Sequence, residues 1–266
     1  MSDVAVIGVG RMGMPMVSRL LDAGHTVAAL ARTPVAHELL SAAGARACTS
    51  ITDLVTPDTT IVLIVVLTDE QVREICLNSP LLQRLPAGAT VVVHTTGSPQ
   101  TVTDIAEVAS PLGISVIDAA ISGGPHDIAA GHLTVFAGGD ETQVAAARAV
   151  LCAYADPILH VGALGAGQRV KLVNNAMFAA QIGLVRAGAD LADRLGLDER
   201  ELLAALPNGS ANSRALESIS RYGSVDAFTE RVREFVGKDV DVVRKVAAEL
   251  GGDLGALDDL ITQTGF

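Results

Sequence analysis

Short apolar runs bounded by turn residues recur through the first half of the chain. They cover residues 4–7, 26–31, 60–66, 90–94, 115–118 and 133–137. Helix-compatible stretches lie between most of them, at 34–42, 69–76 and 99–111. Continuous apolar strands that alternate with helices are typical of a mostly parallel sheet covered on both faces. Residues 1–161 are therefore predicted to form a doubly wound α/β domain of Rossmann type.

The pattern changes after Gly162, where helical spacing replaces strand-like runs. Apolar or small residues recur at 170, 173, 177, 180, 184, 187 and 191, and a second apolar face carries 178, 182 and 185. This pattern predicts one long, largely buried helix from Gly167 to Leu195. Shorter helices are predicted over 198–206, 212–222, 226–236 and 238–250, with a helical tail from 254. Residues 162–266 are thus expected to form an all-helical C-terminal domain built on one long helix.

Composition narrows the classes of partner. The formal net charge of −11 would repel nucleic acid, and no basic patch is visible. The apolar run at 61–67 is too short to cross a bilayer, and no secretory leader is recognisable, so we expect a cytoplasmic protein with no membrane partner. Cys48, Cys76 and Cys152 are widely spaced and odd in number. They are interpreted as packing residues rather than disulfide or zinc ligands.

A glycine motif follows the first predicted strand: Gly8, Gly10 and Gly13, with Arg11 and Met12 between them. In a dinucleotide site the first glycine permits a tight turn, the second lets the backbone approach a pyrophosphate, and the third lets the helix pack on the strand. The amino end of that helix would then face the phosphates. The alternative is a glycine-rich turn without a ligand. The strand–turn–helix context favours a dinucleotide.

The end of the second predicted strand bears on cofactor choice. An acid there would bind the adenosine ribose of NAD, whereas an arginine can pair with the 2′-phosphate of NADP. The strand is followed by Arg32 and Thr33, and no acid occurs before Glu38. This favours NADP, with NAD possible. The alternative is a solvated surface arginine.

Lys171 lies near the start of the long apolar helix, and Asn175 lies four residues later on the same face. Burying an unpaired ammonium is costly and lowers its pKa, which would suit a proton donor and acceptor at neutral pH. The alternative is a lysine that extends from the first helical turn into solvent. Spacing alone does not separate the two.

Ser122, Gly123 and Gly124 follow a predicted strand at the end where doubly wound sheets bind ligands. A hydroxyl and open main-chain N–H groups could hold a small carboxylate or carbonyl oxygen. The alternative is ordinary turn chemistry. His126 and His132 flank this loop, but their spacing specifies no metal, and no metal site is expected.

The order of these motifs resembles the β-hydroxyacid dehydrogenase family, whose best-known member type is 3-hydroxyisobutyrate dehydrogenase. The family pattern G-x-G-x-M-G-x-x-M is similar to residues 8–16, and D-A-x-x-S-G-G to residues 118–124. The pattern G-x-G-x-x-x-K-x-x-x-N is similar to residues 165–175, and a later Lys-Asp pair to Lys238-Asp239. The resemblance extends over essentially the whole chain.

This resemblance implies an NAD(P)-dependent oxidoreductase that interconverts a small hydroxyacid and its semialdehyde or keto form by hydride transfer, and Arg32 favours NADP as its cofactor. Lys171 would be the general acid/base and Asn175 its substrate-orienting partner. Ser122, Gly123, Gly124 and Lys238 would bind the substrate. The residues expected to contact the cofactor are Gly8, Gly10, Arg11, Met12, Gly13, Arg32, Thr33, Leu67, Thr96 and Lys238. A homodimer through the helix from Gly167 to Leu195 is also expected.

Two departures from the family pattern concern the substrate. Asp127-Ile128 occupy a region where the family usually has Gly-Ala, so His126 and Asp127 place polar or charged groups where a small turn is typical. The Val93-His94 region replaces a common aspartate before the Thr96 loop. These departures put hydroxyisobutyrate in question as the substrate more than they put the hydride-transfer reaction in question. An imine reductase of the same architecture and a non-catalytic nucleotide-sensing domain are the alternatives. Retention of Lys171 argues against the first, and retention of both Lys171 and Asn175 against the second.

Overall fold

A computed structural model describes residues 2–266 and contains one eight-stranded sheet in that range. The strands are β1 (Asp3–Ile7), β2 (Thr26–Leu30), β3 (Arg46–Cys48), β4 (Thr59–Ile64), β5 (Thr90–Val93), β6 (Ser115–Ser122), β7 (Leu133–Gly138) and β8 (Ala155–Gly162). Their order across the sheet is β3-β2-β1-β4-β5-β6-β7-β8. All neighbours are parallel except β6 and β7, which are antiparallel. The predicted Rossmann-type, mostly parallel sheet is confirmed.

The six predicted strands are all present, but β3 and β8 were not predicted. Both are edge strands. The strand β3 has only three residues, and β8 contains Asp156, Pro157 and an exposed His160. An edge strand has a neighbour on one side only and need not be apolar. The continuous apolar run that marks a buried strand is therefore missing from both.

Alternate residues of the central strands enter two cores on opposite faces of the sheet. Val4 and Val6 of β1 lie in one core, and Ala5 and Ile7 lie in the other. The first core is covered by α1 (Gly13–Asp22), α2 (Pro34–Ala43), α7 (Pro125–Ala130) and α8 (Glu141–Leu151). The second is covered by α3 (Ile51–Leu54), α4 (Asp69–Leu77), α5 (Leu81–Arg84) and α6 (Pro99–Ala109). The six strands β1 to β6 are parallel to one another and end at the same edge of the sheet, whereas β7 and β8 end at the opposite edge.

Two of the three cysteines pack as expected. Cys48 and Cys76 are buried in the second core. Cys152 is exposed, so its interpretation as a packing residue is wrong. It lies just after the last residue of α8.

The chain divides into two compact units, one ending at Lys171 and one covering Leu172–Phe266. The remaining helices are α9 (Ala166–Arg194), α10 (Glu199–Ala205), α11 (Arg214–Tyr222), α12 (Val225–Glu249) and α13 (Ala256–Thr262). The predicted helical C-terminal part is confirmed, but it contains two long helices rather than one. In the described residues, no helix is both long and apolar enough to cross a membrane.

The helix α12 is continuous where two helices were predicted on either side of Gly237. A glycine inside a helix costs about 1 kcal/mol relative to alanine. Phe228, Val240 and Val243 are buried along α12 on both sides of it. Their packing outweighs the weak helix propensity of one residue.

One face of α9 is buried and another is exposed. Ala179 and Ile182 are fully buried in the second unit. A second row of apolar residues is about half exposed or more: Val173, Met177, Leu184 and Leu191 of α9, and Leu195 directly after its last residue. The expectation of a largely buried helix therefore holds for one face only within a single chain.

Candidate active site

The turn between β1 and α1 has the geometry that its glycines predict. Gly8 has a φ of +106°, and a Cβ there would lie 2.2 Å from the Val65 carbonyl oxygen. A Cβ on Gly13 would lie 1.9 Å from the Gly8 carbonyl oxygen, so α1 packs directly on the turn. At Gly10, no atom lies within 4 Å of the ideal Cβ position. The turn therefore leaves open space above Gly10.

The amino end of α1 suits an anion. Met12 precedes the helix, and within the described part of the chain no side chain caps it and no acid lies in its first turn. Arg11 is exposed in the same turn. Unpaired N–H groups and the helix dipole attract negative charge at such an end. Together with the space above Gly10, this end fits the pyrophosphate of a dinucleotide.

A cleft of about 190 Å³ lies at the carboxyl ends of β1, β2 and β4. Its lining residues are Ile7, Gly8, Leu30, Arg32, Val66, Gln71, Glu74 and Ile75. Doubly wound sheets bind ligands at this position, where the strand order reverses. The structure thus brings two residues from the sequence motifs, Gly8 and Arg32, to one cleft.

Thr33 and Leu67 are placed differently from Arg32. The Thr33 hydroxyl caps α2 by accepting a hydrogen bond from the Ala36 N–H, at 3.2 Å. Leu67 is exposed after β4, and its N–H donates to the Gln71 Oε1 at 2.9 Å. Both residues lie beside residues that line the cleft, although neither lines it.

Glu74 brings a carboxylate to the cleft that contains Arg32, although the sequence near β2 predicted no acid. Its Oε2 accepts a hydrogen bond from the Asn78 Nδ2, at 2.9 Å. Glu74 belongs to α4, far along the chain from β2. A local pattern around Arg32 could not have revealed it, because the packing of α4 places it there.

The loop after β5, residues 95–97, contains Thr96 and is held from two sides. The Thr95 hydroxyl accepts from the Val66 N–H at 3.1 Å and donates to the Val66 carbonyl at 2.9 Å. On the other side, Asp69 accepts from the Ser98 N–H at 3.2 Å and from the Thr101 hydroxyl at 2.7 Å. Thr96 itself is nearly buried. The 95–97 loop is therefore a fixed part of the site.

Asp69 also explains the glycine in this loop. A Cβ on Gly97 would lie 2.0 Å from Asp69 Oδ1. Burial raises the pKa of the Asp69 carboxyl, although its hydrogen bonds from Thr101 and Ser98 act in the opposite direction. Sequence reasoning did not identify Asp69. Its place in the first turn of α4 gave no signal beyond helix capping.

Gln168 connects the 95–97 loop to the first turn of α9. Its Oε1 accepts from the Gly97 N–H at 3.0 Å, and its Nε2 donates to the Thr95 carbonyl at 2.8 Å. The residue is 1% exposed. It was also missed from the sequence. The available signal was a polar residue three positions before Lys171 on an apolar helix.

Asp118 holds the start of α9 from the sheet. Its two carboxylate oxygens accept hydrogen bonds from the Gly165 and Gln168 N–H groups, each at 2.7 Å. Asp118 is fully buried, and this burial raises the pKa of its carboxyl while the backbone donors lower it. An acid at a helix amino end interacts favourably with the helix dipole. The start of α9 is thereby fixed to β6.

Lys171 follows Gln168 on α9 and is 9% exposed. A buried amine of this kind can hold or release a proton.

Asn175, four residues further along α9, belongs to the second unit and is 7% exposed. Its Oδ1 accepts from the Asn174 Nδ2 at 3.2 Å, while its buried Nδ2 has no hydrogen-bond partner in the described residues. A buried donor without a partner suits an acceptor on a bound molecule.

The loop at the end of β6, residues 122–124, is less open than expected. The Gly124 N–H donates to the Asp127 Oδ2 at 2.6 Å. The other Asp127 oxygen lies 3.4 Å from Nε2 of the exposed His126. Ser122 and Gly123 precede this contact, and Ser122 pairs with Thr134 of β7. One of the expected N–H groups is therefore already bonded within the chain.

Lys238 belongs to the second unit, on α12. Its Nζ lies 3.3 Å from the Asp239 Oδ1, and a third of its side chain is exposed. In the described residues, no three His, Cys, Asp or Glu side chains are grouped so that they could hold a metal ion.

His94 directly precedes the 95–97 loop and is buried. Its Nδ1 lies 2.5 Å from the Ala119 carbonyl, which can only accept, so Nδ1 carries the proton. Its Nε2 then accepts from the Tyr154 hydroxyl, at 2.7 Å. Burial lowers the pKa of His94 to about 4. The imidazole is neutral at physiological pH and supports the loop without charge.

Comparison with known families covers nearly the whole chain. Residues 3–162 match the NAD binding domain of 6-phosphogluconate dehydrogenase. Residues 165–259 match the family described as NAD-binding of NADP-dependent 3-hydroxyisobutyrate dehydrogenase. The first match contains the glycine turn and the 122–124 loop, and the second contains Lys171 and Asn175.

Individual relatives agree with this assignment. A probable 3-hydroxyisobutyrate dehydrogenase of Mycobacterium tuberculosis is 34% identical over 221 residues, which are 82% of this chain and 73% of that protein. An NAD-dependent L-serine dehydrogenase of Pseudomonas aeruginosa is 32% identical over 239 residues, 89% of this chain and 80% of that protein. A solved structure of the Mycobacterium tuberculosis 3-hydroxyisobutyrate dehydrogenase with L-serine has a TM-score of 0.89 at 26% identity, covering 100% of this chain and 93% of that one. The chain thus belongs to the 3-hydroxyisobutyrate dehydrogenase-like β-hydroxyacid dehydrogenase family, as an NAD(P)-dependent dehydrogenase that acts on CH–OH groups.

Proposed function

We propose that this enzyme interconverts a small hydroxyacid and its semialdehyde or keto form, with Lys171 as the general acid/base. The observation that carries the proposal is the burial of Lys171 in the first turns of a helix that Asp118 fixes to the sheet. A buried amine held at a fixed place is suited to moving a proton to and from a bound substrate. The chain is proposed to work as a cofactor-binding domain over residues 1–161 and a substrate-binding domain over 162–266.

The residues of the glycine turn fit a nicotinamide dinucleotide. The open space above Gly10 and the uncapped start of α1 after Arg11 and Met12 would receive the pyrophosphate. Leu67 would lie along the remainder of the cofactor, and Thr96, by the family resemblance, beside its nicotinamide. When bound, the cofactor supplies the hydride acceptor in oxidation and the hydride donor in reduction.

Lys171 performs the proton step. In oxidation its neutral amine removes the proton of the substrate hydroxyl as the C–H hydride leaves. In reduction its ammonium protonates the oxygen of the carbonyl group that is being reduced, and so neutralises the developing alkoxide. The proton therefore moves between Lys171 Nζ and one substrate oxygen in both directions.

The remaining proposed contacts orient the substrate. Ser122 offers a hydroxyl, and Gly123 a main-chain N–H, to a substrate oxygen. Gly124 belongs to the same loop, although its N–H is bonded to Asp127. Asn175 supplies the buried Nδ2 that lacks a partner in the described residues, and Lys238 supplies a cationic group for substrate and cofactor.

We propose NADP as the preferred cofactor, with NAD possible. Arg32 is exposed and lines the cleft after β2, where it can pair with a 2′-phosphate. Glu74 lines the same cleft and favours the ribose hydroxyls of NAD instead. The relative from Pseudomonas aeruginosa is NAD-dependent by name. The preference is thus set by the balance of these two side chains.

A homodimer is also proposed, through the exposed apolar row of α9 between Gly167 and Leu195. The row is regular, with spacings of four and seven residues from Val173 to Leu195. Such spacing places apolar side chains along one stripe of a helix. A contiguous apolar stripe in water marks an interface.

The function is tested by a substrate screen that follows nicotinamide absorbance. Short hydroxyacids, including β-hydroxy amino acids, are tried with NADP and NAD, and semialdehydes, keto acids and cyclic imines with the reduced forms. Turnover of a hydroxyacid or its carbonyl product is expected. Turnover of cyclic imines alone would contradict the proposal, and cofactor binding without any turnover would favour a sensor.

A further inference from the structure

The side chain of Gln168 holds the two main-chain groups on either side of Thr96. Its Oε1 accepts the Gly97 N–H and its Nε2 donates to the Thr95 carbonyl, at 3.0 and 2.8 Å. Both polar atoms of this amide are therefore used on one loop. The residue is almost completely buried, so water cannot replace either contact.

The main chain of Gln168 is fixed as firmly as its side chain. Its N–H donates to the Asp118 Oδ2 at 2.7 Å, and Asp118 belongs to β6. Lys171 lies three residues further along α9, a spacing that places two side chains on the same helical face. Gln168 is therefore the direct connection between the Thr96 loop and the helical turns that carry Lys171.

The opposite side of the 95–97 loop is also held, by Asp69 and by the Thr95 contacts with Val66. The loop is therefore held to the sheet side by Asp69 and Val66, and to α9 by the two hydrogen bonds of Gln168. A change at Gln168 would alter the second without removing the first.

We propose that Gln168 is a positioning residue that fixes the distance and orientation between the Thr96 loop and Lys171. This inference rests on the proposed function, in which the loop adjoins the nicotinamide and Lys171 carries the proton. In reduction, a hydride forms a bond to the substrate carbon and a proton forms a bond to the adjacent oxygen as the carbonyl π bond breaks. The two transfers end on neighbouring atoms, so their donors must be held at a fixed separation.

The test uses the full-length protein with two substitutions of similar size. Gln168→Glu retains an acceptor for the Gly97 N–H but places a second acceptor against the Thr95 carbonyl. Gln168→Met removes both hydrogen bonds. Arg169→Met is the matched control, because Arg169 is exposed in the same turn of α9. Circular dichroism and thermal melting establish that each variant is folded.

We expect both Gln168 variants to lower kcat by about ten- to a hundredfold, because a displacement of about 1 Å has an effect of this order. We expect the Kd for NADPH to change by less than about threefold, since most cofactor contacts lie elsewhere. The primary isotope effect on kcat with 4-deuterated NADPH should rise, because hydride transfer becomes slower than product release. Arg169→Met should match the wild type in all three measurements.

Folded Gln168 variants with wild-type kcat would overturn the inference. So would variants that bind NADPH more weakly but keep the wild-type kcat. If Gln168→Met fails to fold, Gln168→Glu decides alone. If neither folds, Gln168 is a residue of the fold and the inference is rejected.

Failure of the proposed function is recognised separately. It would show as an absence of turnover in the wild type, or as full activity of Lys171→Ala. The fluorescence of bound NADPH needs no turnover. A shifted emission in Gln168→Glu, absent in Arg169→Met, would still show that Gln168 positions the loop, and unchanged emission would reject that role too.

Discussion

The main-chain N–H of Gly124 donates a 2.6 Å hydrogen bond to the carboxylate of Asp127, three residues further along the chain. Gly124 immediately precedes α7 and Asp127 lies in its first turn, so the contact closes the amino end of that helix. It also places a negative charge beside the loop proposed to bind the substrate. The family resemblance implies a small residue at this point. The substrate preference of this enzyme is therefore expected to differ from that of its relatives.

Replacing Asp127 should change selectivity between charged and uncharged substrates. Asp127→Asn keeps an acceptor for the Gly124 N–H and removes the charge. We expect kcat/KM for a free hydroxyacid to rise by at least about threefold to tenfold relative to its methyl ester, because a like charge at contact distance costs about 1 kcal/mol even at the dielectric constant of water. Glu107→Gln, which removes an exposed carboxylate on α6, is the control. An unchanged ratio would show that Asp127 only caps α7.

Lys171→Ala should bind the cofactor normally and lose most of its turnover. General acid/base groups contribute about 10²- to 10⁴-fold in rate. The measurements are kcat with the best substrate of the screen and the Kd for NADPH by fluorescence titration. Near wild-type turnover by the folded variant would refute the role of Lys171 as proton donor.

The two charged residues of the cleft should act in opposite directions on cofactor choice. Arg32→Ala should weaken the binding of NADPH by about ten- to a hundredfold, the range of one charge-assisted hydrogen bond, with little effect on the binding of NADH. Glu74→Gln should strengthen the binding of NADPH relative to that of NADH. Titration of both variants with both cofactors provides the check. If Arg32→Ala lost affinity for both cofactors equally, a contact between Arg32 and the 2′-phosphate would be excluded.

These cases show which parts of the site the sequence could reveal. The roles of Gly8, Gly10 and Gly13 were predictable, because each depends on the chain within a few residues of itself. Glu74 and Gln168 were not predictable. Glu74 lines the same cleft as Arg32, 42 residues away in the chain, and the hydrogen-bond partners of Gln168 lie about 70 residues away, so both arrangements exist only after α4 and α9 pack on the sheet. Local pattern therefore predicted the geometry of the turn between β1 and α1, whereas the contacts of Glu74 and Gln168 depend on tertiary packing.

The same distinction applies to the fold. Central strands such as β4 and β5 were predictable because burial on both faces requires a continuous apolar run. The edge strands β3 and β8 have no such requirement. In α12, Gly237 suggested a boundary that the packing of Phe228 and Val240 overrides.

His94 should make the fold sensitive to acid. Its pKa is lowered from 6.5 to about 4 by burial, so the unfolded chain takes up the proton more readily than the folded one. The stabilisation is complete above pH 6.5 and is lost as the pH falls towards 4, by up to roughly 3 kcal/mol. Urea unfolding of the wild type and of His94→Gln at several pH values measures this. The variant should lose less stability between pH 7 and pH 4.5, and equal losses would show that other groups cause the acid sensitivity.

The exposed row of α9 provides the last prediction. Leu184 is 58% exposed in the single chain, so Leu184→Glu should leave the monomer folded. In a dimer through this row, the substitution would bury an unpaired carboxylate, which costs several kcal/mol. The variant should therefore be monomeric by light scattering at concentrations where the wild type is a dimer, and its activity should fall. Val108→Glu, at another partly exposed apolar residue on α6, should remain dimeric and active. A wild type that is monomeric and fully active at assay concentration would refute the dimer.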